Sequence, residues 1–189
     1  MIRCSELTEC EFRACTFHGG KIRTALRGSV TRLFFTDCMF DDFKVSGQET
    51  SDAVVYSASQ LTCTRCHFAH CRCVDECNVI VRAESFNMIG CIFEDCSSDC
   101  DLFSWYGHNH VFRFEKCKFA HCFSSYCLVR YYKWSTLCNS SDGFFSCCKL
   151  DTRYSTLIYS GYDRTVATTM INLTEEEFQD VTKEDATKK

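Results

Sequence analysis

Proline is absent from all 189 residues of this chain, and only eight are glycine. With no ring-locked turns and no proline-rich linkers, the chain reads as nearly continuous regular structure joined by short corners. No apolar run is long enough to cross a bilayer. An excess of one charge is missing too: the net charge is −4 with both signs interspersed, which leaves no electrostatic case for nucleic acid or an anionic membrane. The first ten residues carry charges where a signal peptide needs an apolar stretch. Read that way, the chain as given is intracellular or a piece of something longer, and its compartment stays open. Hydrophobic residues make up 46%, which excludes a disordered chain, and the length suits one domain with a core.

Cysteine is abundant: eighteen residues, about a tenth of the chain. In a short secreted protein that density suggests a disulfide scaffold. Here most cysteines sit at repeat positions beside Phe, where a free thiol behaves as a small hydrophobe. Buried free thiols are the first expectation, with partial disulfides and a metal site as alternatives. Two glycosylation sequons, at Asn139 and Asn172, are close to chance in a Ser/Thr-rich chain.

A nine-position pattern, apolar-x-x-Cys-x-Phe-x-x-Cys, organises the rest. It runs from Leu7 through Cys10 and Phe12 to Cys15, then from Phe35 to Phe43, Cys63 to Cys71, Met88 to Cys96 and Phe114 to Cys122. A worn copy runs from Phe145 to Arg153. The central cysteines fall at 10, 38, 66, 91, 117 and 148, so the period is 25–31 residues. Cys and Phe two apart share one face of a strand, and no helical stripe appears. A second strand-forming run follows each pattern, as in Asp52–Tyr56, Asn78–Val81 and Cys127–Tyr131.

Short strands at this period, with no room for a helix, predict an all-β fold: a right-handed parallel β-helix of about six coils. Phe12, Phe40, Phe68, Phe93 and Phe119 should then lie above one another, in a rod of roughly 30 Å at the strand spacing. The solenoid domain is expected over 1–173. A charged cap or tail should follow over 174–189, where Thr174 and Glu177 read as a capping box for a short helix. Open coil ends are sheet edges, so end-to-end self-association is an expectation.

The segment Phe12-Arg-Ala-Cys15-Thr-Phe17-His-Gly19-Gly20-Lys-Ile22 resembles the repeat of the polymorphic outer-membrane protein type, with Cys in place of its Asn. The Cys-x-Phe-x-x-Cys form is similar to cysteine-rich β-helix repeat proteins. The resemblance covers about residues 4–160. It implies a pectin-lyase-like solenoid and a surface-displayed role in adhesion, whereas free cysteines point to the cytoplasm.

Three functions follow. The first is a non-enzymatic structural or recognition scaffold for a protein or glycan ligand, with no cofactor. Its working surface would be a flat sheet face with loops between units, such as 44–51 and 136–143, and its aromatic candidates are Trp105, Tyr106, Tyr132 and Trp134. The second is a carbohydrate-active hydrolase or lyase on the same solenoid. Polysaccharide hydrolysis needs paired carboxylates on one rim, and Asp42 and Asp95 occupy equivalent repeat positions, with His70 and His121 between and beyond them. The plainer reading of that position is a solvated corner tolerant of any polar residue. The third is a zinc-stabilised Cys-rich module built from Cys63, Cys73, Cys77 and His67.

Overall fold

The computed structural model describes residues 2–4, 7–22, 26–28, 31–46, 53–74, 79–105, 112–125, 127–131, 143–153, 156–160 and 167–171. All regular structure among them is β-strand, and the strand pairings are parallel. The chain is a parallel β-solenoid, as the alternating pattern requires. The turns described with their side chains number about four, across residues 32–124, fewer than the six counted from the repeat. Strand pairing carries the ladders further at both ends. The segment predicted as a capping helix (174–178) lies outside the described residues.

Each turn has up to four short sides. The first contains Ile2–Cys4, Leu26–Gly28, the opening halves of Ala53–Thr64 and Val79–Ile89, Phe103–Trp105, Cys127–Tyr131 and Thr156–Ser160. The second contains Glu9–Arg13, Arg32–Thr36, the closing halves of the two long strands, and Phe112–Glu115. The third contains Thr16–His18, Met39–Asp41, His67–Ala69, Ile92–Glu94 and the start of Lys118–Ser124. The fourth contains Lys21–Ile22, Lys44–Ser46, Arg72–Val74, Ser97–Ser98 and the end of Lys118–Ser124. The segment 44–51, expected as a loop, therefore begins as a strand.

Two sharp corners set the third side apart. Ala14, Asp37, Arg65, Gly90 and Lys116 make the first; Asp42, His70, Asp95 and His121 belong to the second. All nine have φ between 49° and 61°. That left-handed conformation is costly for most L-residues and least so for Gly, Asn, Asp and His. Corner N–H groups still bond to the neighbouring coil, as from Asp42 to the Ala69 carbonyl and from Asp95 to that of Ala120. The ladder therefore passes through the bend without leaving a buried donor unpaired.

The register corrects the first unit. Phe17, not Phe12, lies beneath Phe40. The ladder is Phe17–Phe40–Phe68–Phe93–Phe119, partly buried at Phe17 and buried from Phe40 on, with stacked neighbouring rings 4.6–5.0 Å apart. Phe12 belongs to the second side, stacked 5.2 Å from Phe35, and Cys63, Met88 and Phe114 continue that row. The two rows meet edge to face, as at Phe35–Phe40, 5.1 Å. Offset stacks and T-shapes are the arrangements that ring quadrupoles favour.

Twelve described cysteines are free thiols, ten of them buried. The columns beside the ladder show why Cys recurs. Cys66 donates to the carbonyls of Phe35 and Thr64, Cys117 to those of Met88 and Glu115, and Cys122 to those of Phe93 and Ala120, all at 3.3–3.5 Å. A thiol is small enough for the bend and supplies a weak donor to the carbonyls on both sides of it. Burial pushes the Cys63, Cys73, Cys91 and Cys96 thiols well up from their ordinary value. In one turn Phe43 takes the thiol's place. Its ring lies 2.2 Å from where a Cβ on Gly19 would stand, so Gly19 of the turn beneath is room made for that ring, whereas a Cβ on Gly20 would meet nothing within 4 Å.

Candidate functional site

The second corner holds the carboxylates singled out from the repeat. Its left-handed residues Asp42, His70, Asp95 and His121 follow one another turn by turn. Side chains there project from a tight bend into solvent, and this leaves room for ionisable groups. The ion pairs differ from the expected set in one respect. The carboxylate that joins the imidazoles is Asp41, one residue before the bend, and Asp42 makes no ion pair with any described residue.

The contacts form an alternating line. His18 Nδ1 lies 3.2 Å from Asp41 Oδ2, and His70 Nδ1 lies 2.9 Å from Asp41 Oδ1. His70 Nε2 stands 3.8 Å from Asp95 Oδ2, and His121 Nδ1 3.6 Å from Asp95 Oδ1. A separate pair on the third side joins His67 Nε2 to Glu94 Oε2 at 3.1 Å. Asp41 is the least exposed member of the line, at 23%, against 60% for His70 and 48% for Asp95. The His70 hydrogen bond holds the Asp41 carboxyl below the usual carboxylate range. The same bond raises His70 above an ordinary imidazole.

This arrangement stores charge in compensated form. Both ring nitrogens of His70 face carboxylates, which suits an imidazolium and leaves neither nitrogen to activate a hydroxyl. A glycoside hydrolase needs one carboxyl raised in pKa as its acid, and Asp41 is shifted the other way.

Three of the zinc candidates sit on three different sides of the solenoid. Cys63 is buried on the second side, Cys73 is buried on the fourth, and His67 is a half-buried residue of the third. Among the described residues no three His, Cys, Asp or Glu side chains converge as a metal ion requires. Cys77 lies outside the described residues, as do Tyr106, Tyr132 and Trp134. Trp105 closes the strand Phe103–Trp105 on the first side, in register with Ala83. No helix among the described residues is long and apolar enough to cross a membrane.

One row escaped the repeat-based reading. Lys21, Lys44 and Arg72 lie side by side on the fourth side in parallel register, all exposed. They stand four residues after Phe17, Phe40 and Phe68, so a constant offset from the ladder was the signal that finds them. No family model, curated protein or solved structure matches the chain.

Proposed function

We propose that the chain is a non-enzymatic recognition scaffold of the right-handed, pectin-lyase-like β-helix type, related in its repeats to polymorphic outer-membrane proteins. It presents ordered rows of outward side chains to a protein or glycan ligand. The observation that carries this reading is the self-neutralised second corner. The titratable groups best placed for catalysis, Asp41, His70 and Asp95, are spent on one another. What the solenoid offers a partner is repetition: each outward position recurs about every 4.8 Å on a stiff sheet.

A carbohydrate-active hydrolase or lyase is the runner-up, favoured by one feature: Asp95 and Asp41 flank the same imidazole. Incubation with a panel of neutral and acidic polysaccharides separates the two. The scaffold reading expects no new reducing ends and no unsaturated sugar, with a ligand recovered from glycan and protein binding screens. Turnover that disappears in Asp95→Asn would overturn it.

A further inference from the structure

Around most of the solenoid, charges on neighbouring turns compensate one another. At the first corner Arg65 grips Asp37 through two bonds, 2.6 and 2.7 Å. On the second side Arg32 pairs with Glu9. At the second corner imidazoles alternate with carboxylates. The fourth side breaks the rule. Lys21 pairs in register with Lys44, and Lys44 with Arg72, so three cations stand on consecutive turns. Like charges directly opposite one another on a sheet are destabilising.

Nothing nearby among the described residues relieves them. Among the described residues no carboxylate forms an ion pair with Lys21, Lys44 or Arg72. Asp41 and Asp95, on the adjoining corner, are occupied by His18, His70 and His121. The same row continues through Ser97, in register with Arg72, to Phe123, in register with Ser97 and 44% exposed. Along one straight line about 19 Å long, four strand spacings, the surface reads cation, cation, cation, hydroxyl, ring.

We infer that this row binds a linear anionic polysaccharide laid along the solenoid axis. The inference rests on the scaffold reading and names its ligand class. The rung spacing of about 4.8 Å is close to the length of one sugar residue in an extended chain. A polymer with one sulfate or carboxylate per residue therefore carries its anions at close to the axial spacing of Lys21, Lys44 and Arg72. Ser97 supplies a hydroxyl to the next sugar, and Phe123 an exposed aromatic face against which a sugar ring can pack. The net negative charge of the rest of the molecule repels broad polyanions and admits one thin strand.

The test uses the full chain and four polymers at low ionic strength: dextran sulfate, polygalacturonate, polyglutamate and neutral dextran. Binding of dextran sulfate, of polygalacturonate or of both is expected, and which of them binds tells a sulfate source from a carboxylate source. Neutral dextran should not bind. Affinity should fall with salt at a log–log slope of about three, one per cation. Lys44→Glu should weaken binding about tenfold, the loss of one charge-assisted contact. Lys44→Glu/Arg72→Glu should abolish it, with the cooperative unfolding transition retained. Binding of neither anionic glycan, binding unchanged in Lys44→Glu, or polyglutamate bound as tightly would overturn the inference. Polymer cleavage would instead sink the scaffold reading, and a ligand found elsewhere on the surface would sink the cationic row alone.

Discussion

Inside the solenoid like sits over like and gains by it; on the fourth side like sits over like and loses. Phe40 over Phe17 and Lys44 over Lys21 are products of one register, four residues apart in each turn. The parallel stack imposes the repetition, and the side chain decides its sign. A phenyl ring finds its best neighbour in another ring. An ammonium finds its worst, unless an anion comes between. That contrast separates residues kept for the fold from residues whose presence the fold does not explain.

The largest expected effect breaks the interior half. Phe68 is fully buried and stacked on both sides, at 4.6 and 5.0 Å. Phe68→Ala should cost about 3–5 kcal/mol in equilibrium denaturation. A loss below about 1 kcal/mol would mean that the ladder is not a core.

Gly19→Ala comes next. The new methyl would meet the Phe43 ring, at an expected cost of about 1–3 kcal/mol. Phe43→Cys, the residue type found at this position as Cys71, Cys96 and Cys122, should recover most of that loss in the double variant. Additive losses would show that the glycine is not there for the ring.

The compensated corner is smaller in effect and depends on pH. His70 is raised by Asp41, so its contribution is full below the unfolded imidazole value, about 6.5, and fades as pH rises through the folded one. Asp41 is lowered, so its contribution is present above about 3.9 and lost as pH falls through the folded value. The stability difference between the native chain and His70→Ala should therefore be largest between about pH 4 and 6.5, shrinking on either side. A difference independent of pH would remove the ion pair from the account.

The smallest effect has the opposite sign. Lys44→Gln should leave the fold slightly more stable, by roughly 0.2–1 kcal/mol, since it relieves like charges across two rungs. Raised salt should shrink the gain. Destabilisation would place a hidden partner at Lys44 and undo the contrast between the two regions.

Much of this was legible in the chain. Two-residue alternation between Cys and Phe specified strands, and the fixed period specified stacking. The ladder from Phe40 to Phe119 and the shared corner of Asp42, His70, Asp95 and His121 followed from position alone. The first unit slipped because Cys10–Phe12–Cys15 and Cys15–Phe17 both fit the pattern. Bends five residues apart make it self-similar under that shift, and Ala14 carries no sign that it is left-handed. Asp41 was passed over for Asp42 because stacking says which residues share a corner and not which side chain reaches across to the next turn. The cationic row lay outside a pattern built on apolar residues.

The central claim is the register that sets one turn upon the next, and a pair of double-mutant cycles tests it most directly. Phe17 and Phe40, 4.8 Å apart on adjacent turns, should couple by about 0.5–1.5 kcal/mol when truncated singly and together. Phe12 and Phe40, which both touch Phe17 and Phe35, should couple more weakly than that pair. Additivity at Phe17–Phe40 with coupling at Phe12–Phe40 would contradict the register, and with it every row described on the solenoid's surface.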